Sequence, residues 1–199
     1  MKQKKDIQLV KGELLKSSID MQLTAESQAG NILKAARLIS GALKAGGKLL
    51  ICGNGGSAAD SQHVAAEMVV RFQKERRALP AIALTTDTSL ITAEANDHGF
   101  NTIFSRQVEA LGRKGDVLLA ISTSGRSPNV LAAVKAAKRK GLKTVGLSGK
   151  GGGKMVKACD ICIVAEGDTT YRIQESHLAI EHLICNLVEL WLVKSNTKK

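Results

Sequence analysis

Five short apolar runs, Leu49–Cys52, Ala81–Leu84, Val117–Ile121, Thr144–Leu147 and Ile161–Ala165, recur along the chain with helical patterns between them. The runs are continuous rather than alternating. A strand with one wet face alternates apolar and polar residues, so continuous runs belong to strands covered on both sides of a parallel sheet. Parallel neighbours need crossovers, and spacings such as Val130, Val134 and Ala137 supply the helices for them. The pattern predicts an α/β fold with a doubly wound sheet. Composition agrees. Aromatic residues are only 3%, so the core rests on Ala, Val, Ile and Leu, which suits this class better than a β-sandwich.

The first 46 residues precede the alternation and read as two amphipathic helices. Ile32, Ala36, Ile39 and Leu43 follow the i, i+4, i+7, i+11 spacing of one helical face, and Ala45-Gly46-Gly47 ends it. Ile7, Val10, Leu14 and Met21 form a weaker stripe upstream. The chain of 199 residues is therefore expected to be one domain, with 1–46 as a helical extension docked on the core or on a neighbouring subunit.

No apolar run approaches the ~18 residues needed to cross a bilayer. The N-terminal lysines Lys2, Lys4 and Lys5 lack the apolar stretch of a signal peptide, since Asp6, Gln8 and Lys11 interrupt it. Four cysteines make no disulfide framework, so a reducing cytoplasm is the expected compartment, with no membrane partner. Cys159 and Cys162 spell C-x-x-C, but their odd spacing at a strand edge is expected to point the thiols to opposite faces. Lysine and arginine total 29 against 18 acids, a net charge of +11. Lys135, Lys138, Arg139, Lys140, Lys143, Lys150, Lys154 and Lys157 account for much of the excess. Without interleaved aromatics to stack on bases, this run argues for an anionic substrate rather than nucleic acid.

Ligands of open parallel sheets bind outside the carboxyl ends of the strands. After the third run comes Ser122-Thr123-Ser124-Gly125-Arg126-Ser127-Pro128-Asn129, with four hydroxyls in six residues and a proline suited to a first helical turn. Its hydroxyls, exposed N–H groups and helix dipole make a phosphate-binding loop. After the first run, Gly53-Asn54-Gly55-Gly56-Ser57-Ala58 reads as G-x-G-x-x-A, a weak dinucleotide signal with Asp87 near the expected ribose acid. The hydroxyl loop points instead to a terminal phosphate. His63 and Glu67 lie one turn apart on the following helix, a spacing that by itself favours a stabilising surface pair and also suits proton transfer or metal binding. The last helix carries Gln174, Glu175, His177, Glu181 and His182, and His182 among Ile180, Leu183 and Ile184 looks like a partly buried core histidine. Spacing leaves open whether the two helices meet.

Cys52–Ser57, His63, Glu67, Ala95-Asn96-Asp97, Ser122–Gly125, Arg172–Glu175 and His182, in that order and spacing, resemble the phosphoheptose isomerases of the sugar-isomerase (SIS) domain family. The resemblance spans nearly the whole chain. It implies a three-layer α-β-α sandwich with a five-stranded, flavodoxin-like parallel sheet, assembled as a homotetramer with active sites at subunit interfaces. It implies conversion of sedoheptulose 7-phosphate to D-glycero-D-manno-heptose 7-phosphate, the first step toward nucleotide-activated heptose for lipopolysaccharide or another surface glycan. Ser122, Thr123, Ser124 and Ser127 would hold the phosphate, and Asn54, Gly55, Gly56, Ser57, Asn96, Asp97 and Gln174 would line the sugar. One zinc ion per subunit would sit on His63, Glu67, Gln174 and His182, with Glu67 as the base at carbon and His182 serving the oxygens. The rival implied by the same domain is a non-enzymatic phosphosugar-binding regulator or a replication-initiator-associating protein, which would need the phosphate loop but no acid–base pair.

Overall fold

Each apolar run becomes a strand. In the computed structural model, which describes residues 2–196, these are β1 (Leu49–Gly53), β2 (Ala81–Ala83), β3 (Val117–Ser122), β4 (Lys143–Gly149) and β5 (Ile161–Ala165). Every pairing among them is parallel, and the order is β2-β1-β3-β4-β5. The helices are α1 (Lys2–Lys44), α2 (Gly56–Val69), α3 (Thr88–Asp97), α4 (Ser105–Leu111), α5 (Pro128–Arg139), α6 (Met155–Ala158) and α7 (Thr170–Asn196).

Alternate strand residues feed two cores. Ile51, Leu119, Ile121, Leu147 and Ile163 pack on one side with Ile39 and Leu43 of α1, Val64 and Met68 of α2, and Ile180 and Ile184 of α7. Leu50, Leu118 and Ala120 pack on the other with Val108 of α4, Val130 and Val134 of α5, and Met155 of α6. The result is the three-layer sandwich, and α2 and α7 share one layer. Chain order reverses between β1 and β3, which opens a crevice at their carboxyl ends.

Two sequence expectations need correction. The N-terminal segment is a single helix, not two: α1 runs unbroken for 43 residues. It contains no proline, and Gly12 and Gly30 each cost a helix only about 1 kcal/mol relative to alanine. Its C-terminal stripe is buried as expected, whereas Leu9, Leu14 and Leu15 are each about two-thirds exposed (65%, 68% and 65%). The thiols of Cys159 and Cys162, in turn, do not diverge. Both lie beside Gly146 of β4, because Cys159 precedes β5 and escapes strand alternation. Desolvation pushes these thiols up to about 12 and about 11, so both stay protonated near neutrality. Asp87, placed near the expected ribose acid, is the N-cap of α3 and accepts from Leu90 N–H at 2.9 Å.

α7 is long and apolar enough to match a membrane span by length and composition, but half of that window is buried inside the fold. α7 packs against α1, α2, β4 and β5. Its N-terminal end is pinned to α1: the buried Arg172 guanidinium donates to Glu13 at 2.5 Å, Tyr171 Oη to the same carboxylate at 3.0 Å, and Ser17 Oγ to Glu175 at 2.6 Å.

At the opposite end of the sheet, Asp116 accepts from the Lys48 backbone N–H (2.9 Å), Lys48 Nζ (2.5 Å) and Arg113 N–H (2.8 Å). Burial pushes its carboxyl up, but these donors outweigh burial and hold it below the usual carboxylate range. A carboxyl depressed in the folded state contributes stability that is present above its unfolded pKa and lost as pH falls through its folded value. Asp116→Asn should therefore lower stability near pH 7 by about 1–3 kcal/mol and flatten the acid limb of the stability curve. Melting temperatures from pH 7 to pH 3 check this, and parallel curves for the two proteins would contradict it.

Candidate active site

The crevice between β1 and β3 holds a cavity of about 260 Å³ lined by Asn54, Gly55, Gly56, Ser57, Ile121, Ser122, Thr123, Ser127, Thr170 and Gln174. Three helices begin at its wall: α2 at Gly56, α5 just after Ser127 and α7 at Thr170. Each N-terminus carries roughly half a positive charge and unpaired N–H groups, so the three together suit a dianion without a lysine or arginine in the lining. Ser122 Oγ lies 2.9 Å from Ser127 Oγ and 3.5 Å from Ser124 Oγ. The Ser127 hydroxyl, although at the N-cap position, makes no capping bond and stays turned to its neighbours. Ser124 is the exception among the loop hydroxyls. Its Oγ accepts from Arg126 N–H at 3.2 Å, and it does not line the cavity.

Two glycines permit this geometry. Gly125 has φ +61°, and a Cβ there would collide with the Gly152 carbonyl. A Cβ on Gly56 would fall inside the van der Waals shell of the Gln174 amide, so a larger residue there would push that side chain away from the first turn of α2. Asn54 and Asn129 tie the two loops together by reciprocal amide bonds of 2.9 and 2.8 Å.

Farther along the same two helices, His63 Nε2 of α2 lies 2.8 Å from His182 Nε2 of α7, with the rings edge to face. Glu67 Oε1 is 3.8 Å from His63 Nε2. Phe72 backs the His182 ring at 5.7 Å between centroids. Glu67 and His63 keep side-chain exposures of 22% and 38%, so a ligand can reach them. Two imidazoles and a carboxylate are chemically a zinc donor set. Their spacing here is that of a hydrogen bond between the rings, and no group of three His, Cys, Asp or Glu side chains among the described residues converges on a metal position. Gln174 stands two turns away against Gly56.

Between these two ends lie buried polar groups. His177 donates from Nε2 to the Ser148 carbonyl at 3.1 Å, and burial lowers it to about 4, so it is neutral. Glu181 is pushed up to about 9 by burial and then by the negative charge of Asp60, so it is protonated near neutrality.

The family model described as "SIS domain" matches residues 16–149. The phosphoheptose isomerase of Rhodospirillum rubrum is 57% identical over 158 residues, covering 79% of this chain and 84% of that protein. The solved phosphoheptose isomerase of Neisseria gonorrhoeae superposes with a TM-score of 0.86 at 43% identity, covering 91% of this chain and 97% of that one. That of Francisella tularensis gives 0.89 at 37% identity, covering 93% and 98%. The chain belongs to the phosphoheptose isomerase family.

Within this family fold, the structure assembles most but not all of the residues expected from sequence. Asn54, Gly55, Gly56, Ser57, Ser122, Thr123, Ser127 and Gln174 line one cavity, and His63, Glu67 and His182 form a second cluster on the same helix pair. Asn96 and Asp97 end α3, are exposed, hydrogen-bond to each other at 2.9 Å, and do not line this cavity within the single chain. His182 is half-buried, as its apolar neighbours suggested, and the fully buried histidine is His177. Sequence reasoning missed Thr170 and the role of Asn129. The signal for Thr170 is Gly167-Asp168-Thr169-Thr170, a third polar, small-residue segment that follows a strand and opens a helix.

Gly125→Ala should cost about 1–3 kcal/mol of stability through its left-handed φ and the Gly152 clash. It should also weaken inorganic phosphate binding at least fivefold by calorimetry. Unchanged phosphate affinity would detach this loop from anion binding.

Proposed function

We propose that this chain interconverts sedoheptulose 7-phosphate and D-glycero-D-manno-heptose 7-phosphate through a cis-enediol. The product would enter nucleotide-activated heptose synthesis for lipopolysaccharide or another surface glycan. One observation carries the reading. A hydroxyl-lined cavity at three helix N-termini and a Glu–His–His cluster are strung along one helix pair. His63 follows Gly56 by seven residues and His182 follows Gln174 by eight, which is roughly 10–12 Å along the helices. From C2 to phosphorus an extended heptulose phosphate has seven bonds and spans roughly 8 Å. With side-chain reach included, a long ketose phosphate bridges the two ends, while a triose phosphate, at roughly 4 Å, is too short.

In this reading the phosphate sits among Ser122, Thr123 and Ser127, with Ser124 holding the turn. Asn54, Gly55, Gly56, Ser57 and Gln174 border the chain of hydroxyls. Glu67 removes a proton from C1 of the ketose and returns it to C2. His182 gives a proton to the C2 oxygen and takes one from the C1 hydroxyl, and His63 contacts its Nε2 at 2.8 Å and orients the ring. A phosphosugar-binding regulator would have no use for this acid–base pair.

A zinc ion, one per subunit, is part of the proposal. His63, Glu67 and His182 would hold it, with Gln174 completing the set only if its amide leaves Gly56. Bound there, it would polarise the substrate carbonyl as a Lewis acid. Glu67 cannot be a strong base while it ligates a metal, so the two roles compete for one carboxylate.

The functional unit we propose is a homotetramer with its sites at subunit interfaces. In support, Leu9, Leu14 and Leu15 of α1 are exposed, and a 480 Å³ apolar groove between α1 and α7 includes Met21, Ala25, Leu183 and Leu187. A neighbouring copy would complete the sugar site, which is where Asn96 and Asp97 would take part. Given cysteines that stay reduced, a cytoplasmic location fits the same reading.

Purified protein should convert sedoheptulose 7-phosphate to an aldoheptose phosphate, and chelator should slow it if the metal acts in turnover. Glu67→Gln should lower kcat by ~10²–10⁴ with the fold and phosphate affinity intact. Activity within tenfold of wild type would remove Glu67 from the role of base. Ser122→Ala with Ser127→Ala should instead act mainly on KM, and a pure kcat effect would contradict their anchoring role.

A further inference from the structure

We propose that Arg76 and Glu189, neither of which touches the cavity, are positioning residues that lock Glu67 and His182 into register. This rests on the reading of Glu67 and His182 as the acid–base pair. Glu67 occupies the last turn of α2, where helix carbonyls have no intrahelical partner and no basic residue is present to cap them. Arg76 arrives from the following loop and supplies the cap. Its Nη2 donates to the Glu67 carbonyl at 2.7 Å and its Nη1 to the Met68 carbonyl at 2.8 Å. A cation at a helix C-terminus also complements the dipole.

The guanidinium is only 3% exposed, so it needs a counter-charge, and Glu189, 1% exposed, provides it at 3.1 Å from Nε. The same carboxylate gathers three consecutive backbone N–H groups, Phe72 at 2.9 Å, Gln73 at 2.8 Å and Lys74 at 2.8 Å. Phe72 is thereby fixed where its ring backs His182. Glu189 follows His182 by seven residues, two turns down the same helix face. One carboxylate on α7 therefore sets both the end of α2 that bears Glu67 and the apolar wall of its partner imidazole. None of these contacts reaches the hydroxyl cavity.

Arg76→Lys keeps the charge opposite Glu189 but cannot cap two carbonyls and pair with the carboxylate at once. In the full-length protein it should fold, lower kcat for sedoheptulose 7-phosphate by roughly 10- to 100-fold, and leave KM and inhibition by inorganic phosphate within twofold. Amide exchange at Val70 and at Phe72 to Lys74 should quicken at least tenfold, and the His182 ring resonances should shift. Glu189→Gln should do the same more strongly, and should it fail to fold, Arg76→Lys decides alone. A folded Arg76→Lys with kcat within twofold of wild type, or with KM rising as kcat falls, would overturn the proposal. Should the wild type leave sedoheptulose 7-phosphate unchanged, the proposed function falls. Exchange and the His182 resonances then decide the positioning claim on their own, and unchanged values in the variant refute it.

Discussion

Two helices separated by a hundred residues of chain, α2 and α7, meet along one face, and their contact sets the distance across which any ligand must stretch. At one end the contact is steric: glycine at position 56 lets the Gln174 amide approach where a methyl group would exclude it. At the other it is polar: the His63 and His182 rings touch through their Nε2 atoms. The sheet order explains why the pair can form. β1 and β5 are separated by β3 and β4, yet α2 and α7 lie over the same side of the sheet with α1 and share its core. The Glu67–His63–His182 cluster and the hydroxyl cavity are therefore two ends of one helix pair rather than two loops brought together by chance.

Charge in this site is handled by dipoles and by exclusion. Among the described residues, the cavity lining contains no lysine or arginine. Part of the basic excess of the chain is paired on the outer face of α5, where Arg139 meets Glu109 at 2.7 Å and Lys138 lies 3.8 Å from Asp160. What faces the cavity is the combined polarity of three helix starts, a fixed field that needs no side chain to reorganise. Midway along the helix pair, His177 is kept neutral and Glu181 protonated by burial, which leaves the pair without a buried net charge from either group.

The fold was legible because parallel strands buried on both faces leave continuous apolar runs, and all five runs are strands. The position of the hydroxyl loop beside a cavity was also legible, since crevices of open parallel sheets lie at the carboxyl ends of the strands, although Ser124 turns away from the lining. The meeting of His63 with His182 was not. An i, i+4 pair on α2 and a histidine in an apolar stretch of α7 carry no information about each other, because the contact depends on how two distant helices seat on the sheet. The same holds for Glu189, whose three backbone donors lie in a loop with no pattern of its own, and for Cys159, which precedes its strand and so escapes the two-residue period. The continuity of α1 is hidden in the sequence for another reason. Its upstream stripe is exposed in the single chain, and a weak stripe looks like a separate helix when the helix is continuous.

The proposed reaction depends on length: a phosphate fixed at one end and proton transfer carried out about two helical turns away. Comparing kcat/KM for ketose phosphates of three to seven carbons, each carrying a terminal phosphate, tests it most directly. Negligible turnover is expected for the triose and a steep rise as the chain grows long enough to span both ends, with the heptulose phosphate best. A triose or pentulose phosphate turned over as well as the heptulose would mean that the two ends do not act on one substrate.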